Sequence, residues 1–263
     1  MTWYETADEQ QWLAAVGDLL FPEPGRHTVA LTVANQPLPG TRFAYWHDGT
    51  DVTGAALVCE GFPVLLSAVP DDAIRPLGEL WDITRLGGAT PLAVQVARVM
   101  AAGREVRVLS AERLFRLTTL TAPDVPGRAR LATDDETELL IGWFDDFMSE
   151  ARILVPGDTR SEVPKRIASG RLVLWDDGGP VALAGRHDNA YGGIRVGPVY
   201  TPPASRGSGY GGAVTAAVSQ AALDLGAREV VLYTDLTNPT ANALYPRLGY
   251  RPVEDRAVLE ISP

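Results

Sequence analysis

Two short stretches carry the residue types and spacings that could do chemistry. The first is Ile194–Gly211, reading IRVGPVYTPPASRGSGYG. Its apolar start, Ile194 to Tyr200, reads as a strand. The strand must stop at Pro202-Pro203, which have no amide hydrogen to give a sheet. Arg206, Gly207, Ser208, Gly209, Tyr210 and Gly211 then lead into an Ala/Val-rich helix. Glycines let a backbone turn sharply and come close to a ligand. The first turn of a helix presents free N–H groups and the positive end of its dipole, which attract phosphate. Arg206 adds a fixed cation suited to phosphate oxygens.

The second stretch is Asn238–Tyr250, NPTANALYPRLGY. Asn238 suits a helix N-cap, with Pro239 at the first helical position. Tyr245 follows seven residues later, close to two helical turns, so the two share a side of the helix. A phenol of pKa about 10 is neutral at pH 7 and can give a proton to a departing anionic group. Strand amides near Val199 could serve a developing oxyanion.

The order Arg-x-x-Gly-x-Gly, after a strand and opening a helix, resembles the acyl-CoA-binding motif of the GCN5-related N-acetyltransferases, the GNAT family. The pattern Asn-Pro-x-Ala-x-x-Leu-Tyr-x-x-x-Gly-Tyr resembles that family's last motif. Together they span Ile194 to Tyr250, under a quarter of the chain. No Gly-Lys-Ser/Thr triplet of a P-loop occurs. The resemblance implies acetyl-CoA (coenzyme A) as cofactor and an amine acceptor. It implies that Val199, Tyr200 and Thr201 lie beside the pantetheine arm, with backbone contacts from Val199 and Thr201. It implies Arg206, Gly207, Ser208, Gly209, Tyr210 and Gly211 around the pyrophosphate. Asn238 would contact the pantetheine or shape the cleft, and Tyr245 would be the general acid. The expected reaction is acetyl transfer to a primary amine by direct attack. The alternatives are a non-catalytic acyl-CoA-binding regulatory module and the use of a longer acyl group. No single base is marked: Asp145, Glu150, Asp188 and Asp235 are all conceivable, and the sequence does not rank them.

Composition bounds the partners. The 263 residues carry a formal charge of −10. That disfavours a nucleic-acid backbone and favours a cationic or amine-bearing partner. The lone Cys59 sits in an apolar run, GAALVC, and reads as a buried structural thiol. His27, His47 and His187 show no metal-ligand spacing. The polar, acidic MTWYETADEQ is unlike a signal peptide, and no apolar run reaches the roughly 20 residues of a spanning helix. The expectation is a cytoplasmic protein without membrane contact.

The elements that must position these motifs follow from pattern. In the first half, Thr6–Glu9 reads as a capping box opening a helix that carries Trp12, Leu13, Val16, Leu19 and Leu20, ended by Pro22 and Pro24. Arg42–Trp46 and Val52–Glu60 flank Asp48-Gly49 as a hairpin. Phe62–Ala68 reads as a strand interrupted by Pro63. Asp71–Leu86 and Pro91–Ala102 read as helices, the second capped by Thr90. Arg104–Leu109 and Leu114–Leu120 read as strands. Arg85-Leu-Gly-Gly88 begins like the phosphate motif, but Thr90 replaces its last glycine and no apolar strand feeds it.

Ala122–Gly127 is rich in breakers and reads as the domain boundary. Beyond it, Arg130–Ala132 reads as a strand and Thr133–Glu136 as a second capping box. The next helix carries Leu139, Leu140, Trp143, Phe144, Phe147, Met148 and Ala151 at helical spacing. A short helix over Ser161–Ala168 and strands over Arg171–Asp176 and Val181–His187 follow. The helix from Tyr210 to Leu225 and the strand Glu229–Thr234 complete a βαβ unit, making 194–200 and 229–234 parallel neighbours. Pro246 shortens or kinks the helix after Asn238. Strands around Tyr250–Val253 and Arg256–Ile261 close the chain. The fold class is thus α/β (α+β): a mixed, mainly antiparallel sheet with a central parallel strand pair and helices on both faces. Helix then hairpin opens both halves. The reading is two tandem GNAT-like domains, residues 1–122 as a degenerate copy without the cofactor loop and 128–263 as the acyl-CoA-binding copy.

Overall fold

The structure is a computed structural model that describes residues 1–153 and 157–262. The chain divides into two compact units. The first comprises Met1–Leu114, Asn189–Tyr191 and the chain from Val253 onward; the second comprises Phe115–Asp188 and Gly192–Pro252.

Ten elements run in order through the first part of the chain: β1 (Thr2–Thr6), α1 (Glu9–Leu20), α2 (Thr28–Asn35), β2 (Arg42–His47), β3 (Val52–Val58), β4 (Val64–Ala68), α3 (Asp71–Leu80), β5 (Arg85–Ala89), α4 (Thr90–Ala101) and β6 (Val106–Leu117). The same order of types then recurs: β7 (Arg128–Leu131), α5 (Thr137–Glu150), α6 (Thr159–Ala168), β8 (Leu172–Asp176), β9 (Pro180–Asp188), β10 (Gly193–Tyr200), α7 (Tyr210–Asp224), β11 (Glu229–Asp235), α8 (Pro239–Arg247) and β12 (Tyr250–Ile261). Each set has one parallel pair bridged by a helix. In the first it is β4 with β5, across α3; in the second it is β10 with β11, across α7. The ladders β1–β2–β3–β4, β7–β8–β9–β10 and β5–β12 are antiparallel.

Strand alternation sorts side chains onto two faces. In β8 and β9, Leu172, Leu174 and Leu183 join Leu140, Trp143, Phe144 and Val163 on the α5/α6 face. Their neighbours Val173, Ala182 and Ala184 join Val214, Val218 and Ala222 on the α7 face. The first unit repeats the device: Phe43 and Ala55 meet Trp12 and Leu31, while Ala44 and Ala56 meet Ile74, Leu77 and Val96. The indole N–H of Trp12, fully buried, donates to the Ala44 carbonyl at 2.9 Å, so the large ring is buried with its polar group satisfied.

Several expectations change in detail. The cap of α1 is Asp8, which accepts from Gln10 and Gln11 amides, because Thr6 is the last residue of β1. Its hydroxyl instead accepts from the Asp8 amide at 3.0 Å. The helix from Asp71 ends at Leu80, and Arg85–Ala89 is a strand, paired with Arg256–Glu260. The near-motif at Arg85–Gly88 is therefore sheet, where Gly88 faces the Leu66 carbonyl so closely that a Cβ would lie 2.9 Å from it. The strands sought at 104–109 and 114–120 are one strand, β6, and the closing pair is one strand, β12. Thr90 is itself helical and gives α4 no side-chain cap.

The units divide after Leu114, earlier than the breaker-rich 122–127. The reason is hydrogen bonding. The Thr118 and Thr121 amides donate to the Gly249 and Leu248 carbonyls at 3.1 and 3.0 Å, and the Trp175 indole donates to the Pro126 carbonyl at 2.7 Å. This stretch is thus a strap on the second unit. The residues from Val253 on pair with β5 and belong to the first.

Cys59 is 5% exposed, with its sulfur 3.2 Å from the Thr41 hydroxyl, as a buried structural thiol should be. Among the described residues no helix is long and apolar enough to cross a membrane.

Candidate acyl-transfer site

The two motifs of the sequence meet in one groove of the second unit, about 620 Å³ in volume, within the range of small-ligand sites. Its walls come from three places. The end of β10 and its loop give Val199, Tyr200, Thr201, Ser205, Arg206, Gly207, Gly209 and Tyr210; α7 continues with Gly211 and Gly212. From α8 and its cap come Asn238, Thr240, Ala241, Leu244, Tyr245 and Arg247. The end of α5 gives Phe147, Glu150 and Ala151. Of the residues predicted for the site, only Ser208 is not a lining residue.

The groove exists because two parallel strands part. The β10–β11 ladder runs from Gly193 with Glu229 to Val196 with Leu232 and stops there. Gly197 and Pro198 then form an irregularity in the ladder to β9, which resumes at Val199 opposite Ala184. The main chain of Val199 is so left without a β11 partner, at the mouth where α7 and α8 diverge.

Backbone conformation explains the glycines of the loop. Gly207 and Gly209 hold φ of 85° and 86°, which other residues adopt only at a cost. Gly209 is the N-cap of α7 and has no side chain, so the cap residue gives the first-turn amides no side-chain acceptor. A Cβ on Gly209 would lie 2.8 Å from Val125 of the strap, and one on Gly212 would lie 3.1 Å from Leu244. The loop is small-residue by necessity: α7 must start close against both the strap and α8.

Asn238 caps α8 by accepting from the Ala241 amide at 3.0 Å. The helix that follows has only nine residues, with Pro246 inside it, as the proline required. Asn238 and Tyr245 do share the groove side. The Tyr245 ring is 7% exposed and packs between Phe115 and Tyr250, with centroids 6.1 and 6.0 Å away. Burial alone pushes its phenol up to about 12. The hydroxyl is therefore neutral across any physiological pH and available as a donor.

Arg206 is engaged rather than free. Its Nε donates to the Thr201 carbonyl at 2.8 Å, and one terminal nitrogen meets both Glu150 oxygens at 2.8 Å. The guanidinium also lies 5.8 Å from the centre of the Tyr200 ring. The Glu150 hydrogen bonds hold its pKa above the usual value. The Tyr200 hydroxyl in turn donates to Asp146 at 3.1 Å, and burial together with that carboxylate raises the Tyr200 pKa.

The four conceivable bases separate sharply. Asp145 accepts from the Thr159 hydroxyl, Asp188 is paired with Arg171 and Arg186, and Asp235 holds the Thr237 amide and hydroxyl. Only Glu150 lines the groove. Thr240, Leu244 and Arg247 are lining residues that the sequence reading did not single out; they follow one another at spacings of four and three, so the helical period of α8 carried the signal.

Comparison with known proteins fits this geometry. Residues 138–250 match the model of the Acetyltransferase (GNAT) family. Residues 138–250 form a GNAT acetyltransferase domain. The match takes in α5, the whole groove and Tyr250, and places the domain among the acyltransferases. No curated protein matches the sequence. Among solved structures, a GCN5-related N-acetyltransferase from Sphaerobacter thermophilus superposes with a TM-score of 0.67 at 17% identity, over 99% of this chain and 96% of that one. A GNAT-family acetyltransferase from Colwellia psychrerythraea gives 0.65 at 13% identity over 100% of both chains. A tandem GNAT protein from the clavulanic acid biosynthesis pathway, solved without AcCoA, gives 0.61 at 16% identity over 99% and 98%. At such identities the likeness is one of fold, and it extends over nearly the whole chain.

Proposed function

We propose that the protein transfers an acetyl group from acetyl-CoA to a primary amine of a small molecule or an exposed amino group. The observation that carries this reading is the groove itself: first-turn amides of α7 behind a glycine N-cap at one end, the Val199 main chain without a β11 partner in the middle, and the Tyr245 phenol on the wall.

The residues present fit coenzyme A. The α7 amides, backed by Arg206, would hold the diphosphate. Val199, Tyr200, Thr201 and Asn238 would lie along the pantetheine arm, and a bound thioester supplies the activated acyl carbon. The acceptor nitrogen would attack the acyl carbon, with the Val199 amide facing the oxyanion; Tyr245 would give a hydrogen bond and then its proton to the leaving sulfur, and the proton shed by the nitrogen as the amide forms would return through water to the phenolate. A phenol at about 12 is a weak acid for a solvated thiolate. Desolvation of the sulfur beside the buried phenol would raise its basicity and narrow the gap.

The first unit reads as a second copy that has lost the cofactor. Its β4 runs through only Val69 and Pro70 into α3, whose first turn begins Asp71-Asp72. It has no glycine loop there, and two carboxylates stand where an anion would sit. A thiol-release assay with acetyl-CoA and an amine panel tests the function. Thiol release that depends on an added amine supports catalysis; coenzyme A binding without release on any amine would favour the regulatory module.

A further inference from the structure

Glu150 is the only acidic side chain among the described residues of the groove. It stands on the wall formed by α5, half-exposed, and its recorded partner is Arg206. Arg206 is also the side-chain cation of the loop at which a diphosphate would bind. One guanidinium therefore faces two anions. A diphosphate seated on the α7 amides carries more charge than one carboxylate and brings several oxygens to the arginine, so it outcompetes an exposed ion pair of this kind. Once it does, a carboxylate is left in the groove without its counter-ion, on the same surface as Tyr245. Asp146 cannot replace it, being bonded to the Tyr200 hydroxyl.

From this we propose that Glu150 is the recognition residue for a cationic acceptor, held by Arg206 until the cofactor's diphosphate takes the arginine away. The acceptor class is then an amine bearing a second positive charge, such as a diamine: one nitrogen attacks as the neutral base while the other rests on Glu150. The proposal rests on the acetyl-transfer reading above and adds the acceptor's charge to it. Glu150 touches no reacting atom in this role. It positions the acceptor and couples its arrival to that of the cofactor.

The test is calorimetry with coenzyme A, pantetheine and 1,4-diaminobutane on wild type, Glu150→Gln and Arg206→Met. Glu150→Gln is expected to bind coenzyme A roughly twofold to fivefold more tightly at low salt, the gain shrinking as salt screens the lost competitor. Pantetheine, which has no diphosphate, should bind both proteins equally. In wild type, 1,4-diaminobutane should bind severalfold better with coenzyme A present than without. That difference should vanish in Glu150→Gln, and Arg206→Met should bind the diamine without coenzyme A. In turnover, Glu150→Gln should raise KM for a diamine far more than it lowers kcat. Equal coenzyme A affinity and equal diamine affinity in wild type and Glu150→Gln would overturn the proposal while leaving acetyl transfer intact. No coenzyme A binding by wild type would instead overturn the function reading on which it rests.

Discussion

Replacing Tyr245 with phenylalanine isolates one hydroxyl. The ring keeps its place between Phe115 and Tyr250. Burial is the cause of the phenol's raised pKa, and among the described residues the substitution breaks no hydrogen bond. Stability should therefore stay within about 0.5 kcal/mol of wild type. The kinetic effect follows from the phenol's pKa of about 12. Full proton transfer to a thiolate of ordinary basicity is uphill by roughly 5 kcal/mol, which excludes the upper end of general-acid effects. A hydrogen bond to a charged sulfur is worth about 1.5–3 kcal/mol. The expected loss in kcat is thus roughly 10- to 100-fold, with coenzyme A affinity nearly unchanged. Stopped assays of thiol release give kcat, and calorimetry gives the affinity. Unchanged kcat in Tyr245→Phe would remove the phenol from the mechanism. A fall in kcat matched by lost coenzyme A binding would make it a packing residue.

Other outcomes follow from the same geometry. Gly209→Ala forces a side chain into φ of 86° and toward Val125; it should cost about 1–3 kcal/mol in urea unfolding and weaken coenzyme A binding at least tenfold. Gly249→Ala would place its Cβ 1.7 Å from the Thr119 carbonyl oxygen, so a loss of roughly 3 kcal/mol or more is expected in the same experiment. Glu136 is lowered from 4.5 to about 2, chiefly by its hydrogen bonds to Arg130. Its folded pKa is below its unfolded one, so its contribution is present above pH 4.5 and lost as pH falls toward 2. With Arg130 29% exposed, screening holds that contribution to about 1 kcal/mol; Glu136→Gln should flatten the acid limb of a thermal-stability profile over this window. For Tyr245, ionisation near 12 means that its titration should produce no alkaline fall in activity below pH 10.

The second half of the chain was legible because period and punctuation agree there. The α5 stripe, the Asp177–Pro180 turn, the loop glycines and the Asn238 cap each marked an element that the structure contains. The first half hid more. β1 shows only Trp3 buried, so it lacks the alternation that marks a half-buried strand. α2, TVALTVAN, is rich in β-branched residues and has no side-chain cap. β5 is RLGGA, whose glycines are there for close approach to Leu66 of β4 and Val258 of β12 rather than for a turn. The site's residue list was largely readable, since its motifs are local in sequence. The Glu150–Arg206 pair was not: its partners are 56 positions apart, and only the packing of α5 beside the β10–α7 loop brings them together.

The most direct measurement is titration of the purified protein with coenzyme A in a calorimeter. The account predicts saturable binding of one coenzyme A per chain, weakened at least tenfold by Gly209→Ala. Absence of binding at millimolar coenzyme A would contradict the claim that the α7 amides and the parted β10–β11 strands form a thioester groove.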